Sequence, residues 1–476
     1  MIYEIAEDVK KAVENNCDAY EIYIDESKVI ELDSRKDELN FAKEEIDLGV
    51  GIRILKDNKQ GFAFTSNMDK LSETAIKAVE NSKLTKTDEN YSFAEVEKVK
   101  DVKKVYDTKF KDLSLDESVE FLKDTIAIAN DSGCELTGSG FSASEGRSLI
   151  VNSNGVSIED EGTGFGLGLS VTIQKDGKIA TAYNSQSSRF FDIDGEKLAN
   201  EVCDLAKSSL NTKPIETNNY EVVLDYYAAV GLLQTFIAAF NGENVSRGRS
   251  ILKDKLGEEI ANPTLSIIDN PLLEKGMATS KCDGEGSVSR KTDLINDGIL
   301  KSFIYDIYNA NKENVETTSN GLRGSYLTTP MISPTNLEFK FNEMKDLSEI
   351  KTGVLTTSVL GAHTANPISG DFSVEASNAF KIENGELTDP INKAMISGNI
   401  FEIMKSVEGL KSEVKQYGSY IIPKLLVHNL RVVGQWKKKK FWEKLNLFQF
   451  FSIPIYSIMF KLDIFIILCR LLIFIK

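Results

Sequence analysis

SLIVNSNGVSIEDEGTGFGLGLSVTIQKDGKIATAY, residues 148–183, decides the fold class. Asn154-Gly155 and Asp176-Gly177 each sit between β-prone runs, and both dipeptides favour the tight turns that join antiparallel strands. The runs they separate are Ser148–Val151, Val156–Glu159, Gly162–Ile173 and Ile179–Tyr183. Glycines at 162, 164, 166 and 168 recur at every second residue, so one face of that strand is bare backbone. A bare face predicts either close packing by another group or strong curvature.

Outward from this meander, the periodicity alternates between helix and strand. Ile5, Val9 and Val13 mark a helix over 3–16, and Leu71, Ala75, Ala78 and Val79 mark another over Asp69–Ser82. Between them lie the β-rich runs Ala19–Asp25, Val29–Asp33, Leu48–Leu55 and Gly61–Thr65. A charged stretch, Lys83–Lys109, reads as a linker or exposed connection. Ser114-x-x-Glu117 has the capping-box pattern and opens a helix through Val119, Leu122, Ile126 and Ala129. Lys197–Leu210 predicts a further helix. Beyond Tyr220 the text is mostly β, with one apolar helix over Ala228–Phe240. Asp297-Gly298 and Asn384-Gly385 predict turns between paired strands, Ile400–Val407 a short helix and Ile421–Val433 a final strand. The expected architecture is α+β: N-terminal α/β units followed by a β-rich C-terminal domain. The expected boundaries are 1–109, 110–217 and 218–434, with a tail over 435–476.

Composition narrows the function. The 476 residues hold 56 basic and 72 acidic side chains, a net charge of −16, which argues against a general nucleic-acid binder. Five scattered cysteines without C-x-x-C suit a reducing compartment, and the acidic, amphipathic start lacks the pattern of a signal peptide. The body is therefore expected to be cytoplasmic. From Gln435 onward the balance reverses, with eight basic residues against two acidic, so residues 1–434 carry −22. That tail holds Lys437–Lys440 and sixteen uncharged residues, Leu445–Phe460, interrupted by Pro454. About 20 apolar residues are needed to span a bilayer, so the tail reads as either an anchor or an aberrant end. It offers the only expected membrane contact.

Motifs for chemistry are sparse. P-loop, G-x-G-x-x-G and G-x-S-x-G patterns are all missing. The S-x-x-K strings beginning at Ser250, Ser348 and Ser412 are expected by chance in a chain this rich in both residues. With only His363 and His428 available, no H-x-x-x-H helix can exist. His363 lies in a small, polar loop-like stretch, either as a turn residue or as a contact in a cleft. His428 reads as a strand residue. Cys282 and a carboxylate could in principle join His363 around zinc, but no spacing recommends it. Asp283-Gly-Glu-Gly286 lacks the ligand ladder of an EF-hand and reads as a tight turn carrying surface charge.

Several segments nevertheless resemble the TldD/PmbA family in order along the chain. Lys281–Lys312 (KCDGEGSVSRKTDLINDGILKSFIYDIYNANK) is similar to its D-x-E-G … L-I-x-x-G-x-L-K block. Asn366–Asn384, Ile396–Asn399, Tyr417–Gly434 and Gly49–Thr65 resemble its other blocks. The family contains TldD-type subunits, which carry H-E-x-x-x-H on a C-terminal-domain helix with a distant Cys as third zinc ligand. TldE (PmbA) subunits lack that motif and pair with TldD. Here the matching positions fall on Gln234, Thr235 and Ala239, and no cysteine lies between Cys282 and Cys469. The resemblance implies a TldE-type subunit of a metallopeptidase complex acting on peptides or unfolded polypeptides. It implies no catalytic or metal residue in this chain, no cofactor of its own, and zinc on a TldD-type partner. Pairing with that partner or with a second copy is expected. The alternatives are a self-sufficient hydrolase with a site near His363, and a homodimeric, non-catalytic binding protein.

Overall fold

In the computed structural model, which describes residues 1–434, the first two units share one antiparallel sheet. It contains β1 (Ala19–Arg35), β2 (Glu38–Lys56), β3 (Lys59–Thr65), β4 (Glu135–Asn152), β5 (Ser157–Lys175) and β6 (Lys178–Ser188). The spatial order is β3-β2-β1-β4-β5-β6. Pairing of β1 with β4, from Glu21↔Asn152 to Ser34↔Ser139, joins the units. The tail and the readings placed on it lie outside the described residues.

Four helices cover one face of this sheet. α1 (Ile2–Val13) and α2 (Leu71–Ser82) pack on Ile22 and Ile24 of β1. α3 (Leu115–Asp131) and α4 (Gly195–Ser208) pack further along, on Ile30 and Leu32. These four β1 positions share one parity, so they point to one side of the strand. The capping box of α3 forms as its sequence predicts: Ser114 Oγ accepts from Glu117 N at 3.2 Å, and Glu117 Oε2 accepts from Ser114 N at 2.9 Å.

The strands are longer than the sequence runs that announce them. Ala19–Asp25 and Val29–Asp33 are one continuous strand, β2 starts ten residues before Leu48, and β4 starts well before Ser148. The added stretches are charged or rich in Gly and Ser, so their intrinsic β signal is weak, and pairing with neighbouring strands supplies what propensity lacks. Lys83–Lys109 contains a short helical turn beginning only at Thr108, yet it is not simply exposed. Phe93, Ala94 and Val105 are buried, and Tyr91 stacks on Tyr308 with ring centroids 4.8 Å apart. The strap crosses from the sheet onto the C-terminal domain.

That domain holds three further sheets, one of them only the short pair Gly321–Leu322 and Met331–Ile332. β7 (Asn218–Leu224) pairs with Thr352–Leu360, which pairs with Asp371–Glu383, then Ala394–Asn399, then Leu425–Val433. Leu425–Val433 pairs back onto β7, so these five strands close a ring. Closure removes the free edges that an open sheet would present. The expected final strand over Ile421–Val433 is two strands, because Pro423 has no N–H to donate. Tyr420–Ile422 joins the second sheet, beside Leu337–Phe341 and Leu265–Asp269. The predicted apolar helix is α5 (Tyr226–Ile237), extended by a 3-10 turn over Ala238–Phe240. It sits in the largest apolar core, with Ala228, Ala229, Leu232, Leu233 and Phe236 all buried.

Buried charge fastens the C-terminal domain to the helix-free face of the first sheet. Arg53 of β2 donates to Glu21 of β1 at 3.1 and 2.5 Å and to Glu285 of the C-terminal domain at 3.1 Å. Arg323 reaches back from the C-terminal domain to the same Glu21. Asp283 accepts from the backbone N–H groups of Glu285 and Ser287 at 2.9 Å and of Gly321 at 3.0 Å. Asp283-Gly-Glu-Gly286 is thus a tight turn, as expected, but its charge is internal: Asp283 is 3% exposed and Glu285 1%. The sequence could not show this, because the compensating arginine lies 232 residues away.

Arg53→Ala leaves Glu21 and Glu285 buried with one counter-charge fewer, and breaking such a pair costs about 3–5 kcal/mol. Denaturant unfolding of the variant should show a loss of that order. A loss below about 1 kcal/mol would mean that Arg323 alone satisfies the carboxylates. Asp25 provides a pH test. Burial, then the charge of Asp47, raises its carboxyl from 3.8 to about 7, with Arg323 opposing. The folded protein retains this proton while the unfolded chain releases it, so stability falls as pH rises from 3.8 towards about 7. Asp25→Asn should therefore melt higher than the parent at about pH 8 and equal it near pH 4, as followed by thermal unfolding.

Candidate functional site

The end of β7 sets the position of α5. Asp225 caps the helix, its Oδ1 accepting from Tyr226 N at 2.8 Å, while its Oδ2 accepts from Lys424 Nζ at 3.1 Å. At 3.6 residues per turn, Tyr227, Gly231 and Gln234 lie along one face. Gly231 allows the chain to approach there: a Cβ at this position would lie 3.4 Å from Val359 Cγ2 and 3.6 Å from Ala362 Cβ. The 3-10 turn Ala362–Thr364, which carries His363, thus rests on the same helix as Gln234.

Of the three positions singled out on this helix, Gln234 is exposed, while Thr235 and Ala239 are buried. Ala239 lies in the apolar core, and its carbonyl accepts from Ser250 Oγ at 2.6 Å. Gln, Thr and Ala supply neither the imidazole, thiolate or carboxylate ligands nor the carboxylate base that a zinc-bound water requires. The residues present do not fit the metal. Nor does the alternative set assemble. Cys282 is buried in a separate cluster with Ile150 and Val156, its thiol pushed well up by burial, and His363 is exposed on its turn. Among the described residues, no group of three or more His, Cys, Asp or Glu is placed to hold a metal ion.

Alongside the N-terminal half of α5 runs a cleft of about 690 Å³ between β6 and the C-terminal domain. Tyr183 and Ser185 of β6 form one wall; Tyr226, Tyr227, Tyr417 and Lys424 form the other. Tyr227 stands between Tyr183 and Tyr417, with ring centroids 5.9 and 5.3 Å away. Ser185 Oγ and Tyr417 Oη are hydrogen-bonded across the cleft at 2.9 Å.

Comparison with known proteins places the chain in a family. The chain matches PmbA/TldA metallopeptidase domain 1 over residues 20–82, the central domain over 108–210 and the C-terminal domain over 217–434. It belongs to the TldD/PmbA family. An uncharacterized protein of Methanocaldococcus jannaschii is 37% identical over 385 residues, covering 80% of this chain and 88% of that protein. Metalloprotease PmbA of Escherichia coli O157:H7 is 24% identical over 433 residues, covering 88% of this chain and 93% of that protein. The crystal structure of TldE from Thermococcus kodakarensis superposes with a TM-score of 0.85 at 26% identity, covering 90% of this chain and 100% of that one.

Within this family fold, the remaining sequence candidates have structural surroundings. Ser348 and Ser412 donate within local turns or caps, and Ser250 donates to the Ala239 carbonyl. His428 is a strand residue, as read, but it also bridges Glu221 at 2.6 Å and Glu408 at 2.7 Å, tying β7 and Glu408–Leu410 to the strand between them. The bare glycine face is closely packed at one end: a Cβ on Gly162 would lie 2.6 Å from Arg189 Nη1, and Arg189 donates to Thr163 O and Thr279 O at 3.1 Å. Sequence reasoning missed the tyrosine cleft. Its local signal is the Asp225-Tyr226-Tyr227 triplet at the helix start, whereas Tyr183 and Tyr417 are brought in by the fold.

Gly231 is the residue to test on α5. Its neighbours leave ordinary contact distance for a methyl group, and alanine in a helix interior is favoured over glycine by about 1 kcal/mol. Gly231→Ala should raise the unfolding free energy by up to that amount in chemical denaturation. A decrease would mean that Val359 and Ala362 cannot accommodate the added atom.

Proposed function

We propose that this chain is the metal-free, TldE-type subunit of a metallopeptidase complex acting on peptides or unfolded polypeptides. The observation carrying this reading is the replacement of the motif positions on α5 by Gln234, Thr235 and Ala239, on a helix otherwise built for packing. A TldD-type partner supplies zinc, the activated water and the carboxylate base. This chain supplies wall, peptide-contacting surface and subunit interface, with the interface in the C-terminal domain. The alternative hydrolase centred on His363 gains no support from an exposed turn with no metal-ligand cluster among the described residues. Among those residues, no helix is long and apolar enough to cross a membrane.

The purified chain should contain no stoichiometric zinc and no peptidase activity. Activity should appear on mixing with a TldD-type chain, and size measurement should show a dimer. About one zinc per chain by elemental analysis, lost in His363→Ala, would overturn the assignment in favour of a self-sufficient hydrolase. A strictly monomeric species, alone and with the partner, would count against the assembly. Residues 1–434 contain all three matched family domains. Truncation after Gly434 should therefore give a more soluble protein with unchanged thermal unfolding, whereas unfolding on truncation would make residues 435–476 part of the core.

A further inference from the structure

The cleft between β6 and the start of α5 lies on the seam between two domains, a common position for binding sites. Its charges are largely spoken for. Lys424 pairs with Asp225 at 3.1 Å and Lys415 with Glu413 at 3.7 Å. Both ammonium groups also lie over the Tyr226 ring, that of Lys415 at 5.2 Å and that of Lys424 at 5.6 Å from its centroid. Glu201 accepts from Asn184 Nδ2 at 3.3 Å. Asp192 and Lys197 add further charge to the lining, and beside these groups the cleft offers a ligand aromatic surface. Tyr183, Tyr227 and Tyr417 form a ladder whose adjacent rings are tilted by 52° and 49°, not stacked flat. Tilted rings are a geometry in which aromatic pairs attract, and all three tyrosines line the cleft. The hydroxyls are anchored at one end of the ladder by the Ser185–Tyr417 bond, which holds the rings in place. A volume of about 690 Å³ exceeds one side chain and accommodates a short extended segment.

We propose that this cleft is a subsite for an aromatic side chain of an extended peptide, held against the Tyr183–Tyr227–Tyr417 ladder. The inference rests on the reading of this chain as a peptide-contacting wall, and it adds a side-chain preference to that reading.

The test is titration calorimetry on the full chain, alone and with its TldD-type partner. The probes are end-capped Gly/Ser pentapeptides with a central Phe, Ala or Lys. The Phe peptide should bind at least fivefold more tightly than the other two. Tyr227→Ala should abolish that difference and Tyr227→Phe preserve it, with Tyr417→Ala as the second removal should Tyr227→Ala fail to fold. Equal binding of all three peptides, tighter binding of the Lys peptide, or an undiminished Phe preference in both alanine variants would overturn the subsite while leaving the peptide wall standing. No binding of any peptide in either setting would overturn both.

Discussion

The assembly of this chain turns on one constraint: Glu21 is fully buried and needs two guanidinium groups to be there. Arg53 is its neighbour in the first sheet and Arg323 comes from the C-terminal domain, while Glu285 returns a charge to Arg53. Charges removed from water must be paired in good geometry, and a misdocked domain would leave carboxylates and guanidinium groups unpaired at several kcal/mol each. The network therefore admits one relative placement of the two halves. Arg53 also lies over Phe93 and Arg323 over Tyr23, each 5.0 Å from the ring centroid, so apolar and ionic contacts reinforce the same docking.

That placement creates the seam in which the cleft lies. On one side of the C-terminal domain, Glu285 and Arg323 hold it to β1 and β2, while Asp283 braces the turn that carries Glu285. Elsewhere, Arg189 reaches from just after β6 to Gly276 and Thr279, and Ser185 meets Tyr417. The contacts near β6 combine these hydrogen bonds with the Tyr183–Tyr227 ring contact. Space remains there for a ligand, whereas the Arg53 side is closed. The ring of strands around β7 supplies the rigid frame, and Asp225 passes its position directly to the start of α5.

Some of this was legible in the residues. The capping box at Ser114, the hairpins at Asn154-Gly155 and Asp176-Gly177 and the α1 stripe of Ile5, Val9 and Val13 are local matters of turn geometry and periodicity, and each formed where read. The ends of strands were less legible. Glu135–Arg147 becomes strand by pairing with β1 more than a hundred residues back, which no local window contains, whereas Glu38–Asp47 pairs across its own hairpin with Ser27–Arg35 despite a charged, weakly β-prone sequence. Pro423 lies inside the run read as one strand, and its missing N–H separates Tyr420–Ile422, in one sheet, from Leu425–Val433, in another.

The sequence by itself determined the family, the α+β class and which side chains stand at Gln234, Thr235 and Ala239, because side-chain identity and spacing are local to the chain. Only the tertiary structure decided that Asp283-Gly-Glu-Gly286 is internal, that His428 bridges two glutamates and that Tyr183, Tyr227 and Tyr417 meet. Burial, charge pairing and ring contact are relations between residues far apart in the chain, and the long-range pairing of strands is the physical event that creates them.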